Sequence, residues 1–220
     1  MSATTPNEPL TASAAGPVRV EGDLQSELSR WLWLVKWLLL VPHIVVLVFL
    51  WIAFVLVSVA AFFAILFTER YPRRMFDFNV GVLRWTWRVL FYGYDALATD
   101  RYPPFSLGAE PDYPARLDIA YPERLSRGLV LVKWWLLAIP HYLVVVAFTY
   151  GYWRGPGLLT CLVLIAAVAL LFTGRYPRGL FDFAMGLNRW TWRVVAYAAL
   201  MTDAYPPFRL DQGSREPGTA

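Results

Sequence analysis

The sequence predicts an all-α integral membrane protein made of a tandem duplicated unit. Each copy is expected to hold a transmembrane helical hairpin and an interfacial amphipathic helix, giving about four spanning helices. Three observations predict this. Hydrophobic residues make up 58% of the chain and charged residues only 16%, against roughly 25% charged in a soluble domain. The run from Ile44 to Phe67 has no ionisable side chain and exceeds the roughly 20 residues that cross a hydrocarbon core. The third observation is that the chain repeats itself at a period of about one hundred residues.

The repeat is read from matched segments. Leu34-Val-Lys-Trp37 returns as Leu131-Val-Lys-Trp134, and Pro42-His43 as Pro140-His141. Leu66-Phe-Thr-Glu-Arg-Tyr-Pro-Arg73 returns as Leu171-Phe-Thr-Gly-Arg-Tyr-Pro-Arg178, each followed by Phe-Asp-Phe. Arg84-Trp-Thr-Trp-Arg88 matches Arg189-Trp-Thr-Trp-Arg193, and Tyr102-Pro-Pro-Phe105 matches Tyr205-Pro-Pro-Phe208. The lead-ins Pro17-Val-Arg-Val-Glu21 and Pro114-Ala-Arg-Leu-Asp118 also agree. The units therefore run over 17–107 and 114–210, with a polar joint at 108–113 and disordered tails at 1–16 and 211–220. The order of these motifs resembles the domain-of-unknown-function 4389 family of bacterial, mainly actinobacterial, membrane proteins, in two tandem copies. That resemblance implies a membrane protein and carries no assigned activity.

Along the chain, the first twenty residues hold no apolar core behind positive charge, so no cleaved signal peptide is expected. Val18-Arg-Val-Glu21 and Arg116-Leu-Asp-Ile119 alternate as short strands do, and could pair the two units. Trp31 to Phe67 would be about 55 Å long as one straight helix, against a core of about 30 Å, which suggests folding back. In the second copy Gly151 to Gly157, rich in glycine with a proline, is a turn signal between Leu129–Thr149 and Leu158–Phe172. By analogy the first copy is expected to turn near Trp51 to Ala53. An even number of crossings per unit puts Arg70, Arg73 and Arg74 on the same side as Arg175 and Arg178, as the positive-inside rule prefers. The expected topology is multi-pass in the plasma membrane with both termini cytoplasmic.

The third element of each unit, Asn79 to Leu97 and Ala184 to Met201, carries a polar stripe. Asp77, Gly81, Arg84, Arg88 and Asp95 share one helical face, as do Asp182, Gly186, Arg189 and Arg193. Two arginines at mid-helix cost roughly 5 to 7 kcal/mol to insert, while about nine apolar residues return about 3 to 5, so a helix at the interface is preferred. Trp85, Trp87, Trp190 and Trp192 fit the headgroup boundary.

Chemistry is sparse. There are two histidines and one cysteine, Cys161, and no metal-protease, phosphate-loop or nucleophile-elbow motif. No catalytic residue, metal or cofactor is expected, and a disulfide within the chain is excluded. The net charge of +4 points to anionic lipid rather than nucleic acid, because the basic residues adjoin apolar runs and aromatics. The candidate lipid or partner contacts are Arg70, Arg73, Arg84, Arg88, Arg175, Arg178, Arg189 and Arg193. Asp77 and Asp182 would pair with these arginines or cap the helix that follows. The competing reading makes the same residues pure architecture. The polar groups inside the apolar runs, Lys36, His43, Lys133 and His141, have two readings. They line a solute path, or the lysines snorkel to the headgroups beside a Pro-His kink. The expected function is thus a non-enzymatic scaffold or accessory subunit on the cytosolic leaflet. The alternative is a small transporter or channel component with a path between the hairpins.

Overall fold

The computed structural model describes residues 16–149 and 157–215. In chain order the elements are β1 (Val18–Gly22), α1 (Trp33–Thr68), α2 (Arg73–Tyr92), β2 (Ala115–Ile119), α3 (Arg127–Val132), α4 (Ile139–Thr149), α5 (Leu158–Thr173) and α6 (Arg178–Ala198). A π-helical segment, Lys133–Leu137, joins α3 to α4. The fold is mostly helical, and β1 and β2 form an antiparallel ribbon in which Val18 faces Ile119 and Val20 faces Leu117. Their alternation places Val18, Val20, Ala115, Leu117 and Ile119 in the core and turns Arg19 and Asp118 outward.

The first-copy hairpin is not there. Residues 33–68 form one continuous helix of 36 residues, about 54 Å long at 1.5 Å per residue. No glycine or proline interrupts it between Ile44 and Phe67, and its buried residues Lys36, Leu40, His43, Leu47, Phe54, Ala61 and Ile65 recur at threes, fours and sevens. That spacing is one stripe, and it packs lengthwise along α2, which a turn at Trp51 to Ala53 would interrupt. Four spanning helices are therefore not supported among the described residues. Among the described residues one helix, α1, is long and apolar enough to cross a membrane, and the pair Arg127–Leu137 plus Ile139–Phe148, bent by 41°, makes a second if taken as one broken span. α5 has 16 residues and packs on both α4 and α6. Of the turn expected at Gly151 to Gly157, residues 151–156 lie outside the described residues, as do 1–15 and 216–220 of the tails, while Gly157 precedes α5.

The π segment has a cause in the sequence. Lys36 and His43 are seven residues apart, whereas Lys133 and His141 are eight apart, because the second copy reads Lys-Trp-Trp where the first reads Lys-Trp. One added residue would rotate everything beyond it by about 100°. A π turn absorbs it, marked by the Ala138 N–H donating to Lys133 O at 3.0 Å.

α2 and α6 are the centre of the molecule rather than surface helices. α2 lies between α1 on one face and β2 on the other, and α6 lies between the second-copy helices and β1. Trp87 and Trp192 meet edge to face with centroids 6.1 Å apart, and Trp85, Trp87, Trp190 and Trp192 are all buried. The expectation of interfacial amphipathic helices is corrected accordingly. The polar stripe exists, but protein covers it. Both helices also begin earlier than expected, at Arg73 and Arg178 directly after the Tyr-Pro step, since proline suits the start of a helix.

Candidate functional site

The lysines of the apolar runs do not reach a surface. Lys36 is 1% exposed. Its Nζ donates to Thr99 O at 2.7 Å, lies 3.1 Å from Asp100 Oδ1 and sits 4.5 Å over the Tyr92 ring. The second copy reproduces the cage: Lys133 Nζ donates to Thr202 O at 3.0 Å and to Asp203 Oδ1 at 2.7 Å, with the Tyr197 ring at 5.6 Å. Each aspartate also accepts from the backbone at the entry to the outer helix, Asp100 from Ser29 N at 2.5 Å and Asp203 from Ser126 N at 2.7 Å. The buried ammonium is thus paired and hydrogen-bonded, the condition for keeping a charge inside a protein. The sequence reading overlooked Asp100 and Asp203. The repeated Thr99-Asp100 and Thr202-Asp203, each directly before the Tyr-Pro-Pro-Phe segment by one residue, were the available signal.

The histidines have matched cages too. Trp85 Nε1 donates to His43 Nδ1 at 3.0 Å, and Trp190 Nε1 donates to His141 Nδ1 at 3.1 Å. His43 stacks on Phe105 at 3.9 Å and tilts against Tyr102, while His141 stacks on Phe208 at 4.2 Å and tilts against Tyr205. A ring that accepts at Nδ1 carries its proton on Nε2 and is neutral. The two cages belong to separate repeats and share no ring or hydrogen-bond partner. Among the described residues no three His, Cys, Asp or Glu side chains gather as metal ligands.

The arginine stripe is spent on backbone carbonyls and nearby carboxylates. Arg84 Nε donates to Leu117 O at 3.0 Å and its NH2 reaches Asp118 at 2.5 Å, while Arg189 Nε donates to Val20 O at 2.8 Å. Val20 and Leu117 hold the same place in their repeats, so each central helix grips the strand of the other repeat. Arg88 donates to Gly108 O at 3.0 Å and to Ser106 O. Arg193 pairs with Asp211 at 2.7 Å, and Arg189 NH1 donates to Asp211 O at 2.6 Å. Arg88, Arg189 and Arg193 are buried, which takes them away from any headgroup.

Four of the eight arginines face outward. Arg70, Arg73, Arg175 and Arg178 are exposed at the starts of α2 and α6. Arg73 pairs with Asp77 at 3.2 Å and lies 4.6 Å over the Tyr121 ring. Neither Asp77 nor Asp182 is an N-cap; Pro72 and Pro177 occupy those positions. At the crossed ends of the outer helices, Arg127 pairs with Glu69 at 3.2 Å. In the other copy Gly174 takes the Glu69 position with φ 68°, and a Cβ there would lie 2.6 Å from Arg30.

Two cavities stand out. One, of about 620 Å³, is an apolar groove between α1, α6 and the second-copy outer helix, lined by Phe54, Phe62, Trp134, Tyr142, Val194 and neighbours. The other, of about 300 Å³, lies between the ribbon, α2 and the joint, and holds Arg19, Arg84, Arg88 and Arg116. Neither is lined by the caged lysines or histidines.

A family described as "Domain of unknown function (DUF4389)" matches residues 30–106 and 141–209. The second match begins at His141, just beyond the π segment. No curated protein matches the chain significantly, and neither does any solved structure.

Proposed function

The chain belongs to the domain-of-unknown-function 4389 family in two tandem copies, and from its geometry we propose a non-enzymatic membrane protein that acts as a scaffold or accessory subunit. The observation that carries this reading is the surface of α1. Only one stripe of that helix is buried, while Trp37, Ile44, Val48, Phe49, Ile52, Leu56, Phe63 and Phe67 are each at least half exposed. The core helix of a water-soluble protein would bury such a sequence, and exposed apolar surface on this scale is rarely left to water. Lipid is the solvent that suits it. A helix longer than the core of about 30 Å crosses by tilting. The bent segment from Arg127 to Phe148 is a second, broken crossing.

At the ends of these helices, Arg70, Arg73, Arg175 and Arg178 contact anionic headgroups or the acidic segment of a membrane partner. Each such residue near an anionic surface contributes on the order of 1 kcal/mol. The experiment has two parts. Alkaline carbonate extraction of membranes expressing the chain should leave it in the pellet; release into the supernatant would overturn the membrane reading. Native mass spectrometry of the purified protein should then show anionic lipid retained by wild type and lost on changing these four arginines to Gln. Equal retention by both proteins would remove the headgroup role.

A further inference from the structure

The two repeats bury an arginine at the same place but satisfy it differently. In the second copy Arg193 is paired with the Asp211 carboxylate at 2.7 Å. Counted from the matched Tyr-Pro-Pro-Phe segments, the residue standing where Asp211 stands is Gly108. The first-copy arginine, Arg88, therefore has the carbonyls of Gly108 and Ser106 and no carboxylate within ion-pair distance among the described residues. It is 2% exposed, and its Nε has no hydrogen-bond partner. Glu110 acts on Arg88 only across the cavity; a buried guanidinium without a carboxylate in direct contact is costly, and an oxyanion with two acceptors in a plane is its natural complement.

Arg88 lines the cavity of about 300 Å³ beside the ribbon. Two other arginines of that cavity are already neutralised: Arg84 by Asp118, and Arg116 by Glu21 and Asp23. Arg19 and Arg88 remain as the arginines of the cavity without a carboxylate in direct ion-pair contact, with Glu110 on the same wall. It opens on the ribbon side of α2, the side turned away from α1.

We propose that this cavity binds the oxyanion of a small ligand, a phosphate or a carboxylate, in the place that Asp211 fills in the second copy. The site does not depend on the surface arginines of the preceding section. The repeat itself supplies the test, because Gly108→Asp restores the second-copy carboxylate. A Cβ at Gly108 meets Ser106 Oγ at 3.3 Å and nothing closer, so the substitution asks that hydroxyl to give by a few tenths of an ångström.

The full chain in detergent is unfolded thermally in inorganic phosphate, in acetate and in a short-chain phosphatidate, each balanced with sodium chloride to one ionic strength. Wild type should gain stability with at least one of these anions beyond the chloride control, because a ligand that binds only the folded state raises the midpoint. Gly108→Asp should unfold at a higher temperature without added anion and respond at least tenfold more weakly. Arg19→Gln, at an exposed position, should weaken the response and leave the anion-free midpoint where it was. A response to phosphate or acetate makes the source water-borne, and one to phosphatidate alone makes it a lipid headgroup. No response in wild type, an equal response in Gly108→Asp, or an unchanged response in Arg19→Gln each overturns the proposal.

Discussion

Gly81 and Gly186 hold the same position in their helices but face different neighbours. A Cβ at Gly81 would lie 2.9 Å from both the side chain and the carbonyl oxygen of Leu107, whereas at Gly186 the nearest atom is Gln212 Cγ at 3.5 Å. Gly81→Ala is therefore expected to destabilise by about 1 to 3 kcal/mol through overpacking. Gly186→Ala should be neutral or stabilising by up to about 1 kcal/mol, the usual gain in a helix interior. Unfolding in detergent measures both, and equal effects would mean that Leu107 yields freely. Asp95, in the turn after α2, gives a pH dependence. Burial pushes its carboxyl up to about 6, from an ordinary value near 4. A carboxyl with a raised folded pKa favours the folded state while protonated, so its contribution is complete below about pH 4 and is lost as pH rises through about 6. Asp95→Asn should flatten stability between these values and leave the protein more stable at neutral pH. A profile that keeps its slope would assign the dependence elsewhere. At the lysine cage, Asp100→Asn strips Lys36 of its counter-ion and should cost about 2 kcal/mol or more, against less than about 1 for Asp77→Asn in an exposed pair.

At the scale of elements, the outer helices test whether register or length matters more. Deleting Trp135 brings the Lys133 to His141 spacing to that of the first copy and should convert the π segment to α-helix without loss of stability. Deleting Leu39 has no π turn to remove, so it swings Lys36 about 100° away from Asp100 and should destabilise strongly. Equal tolerance of the two deletions would argue that the cages do not set the register. This spacing difference was readable before any coordinates, as were the repeat, the small ribbon from its alternation at Val18 to Glu21, and the polar stripe of α2. What covers that stripe was not readable. Hydrophobic periodicity reports which face is polar, and a headgroup layer and a β-ribbon both satisfy Arg84 and Arg189. The first-copy hairpin was inferred from bilayer thickness and by analogy with the turn signal of the second copy. Nothing in residues 44–67 breaks a helix, and the stripe from Leu40 to Ile65 needs α2 along its whole length. The Lys36 and Lys133 cages were half legible. The cations were visible, but their partners lie 64 and 70 residues away in sequence, beyond the reach of local pattern.

In the whole molecule, neither repeat is complete by itself. α2 of the first rests on β2 of the second, α6 rests on β1, and the ends of the outer helices cross as well, Arg30 at Gly174 and Arg127 at Glu69. Separately expressed halves cut within 108–113 should aggregate, while co-expressed halves should purify together as one complex on a tag carried by either. Halves that are each monomeric and fold alone would show the exchange to be dispensable. The joint at 108–113 thus does the work of a dimerisation constant. It converts what would be an encounter between two molecules into closure within one, so assembly no longer depends on how much protein the cell makes. It also removes an obligation. A symmetric homodimer must carry the same residue at both of its equivalent positions, so any change that suits one site is imposed on the other. Fusion lets Gly108 and Asp211 differ, and with them one half can hold an open cavity beside its buried arginine while the other pairs that arginine with its own carboxylate.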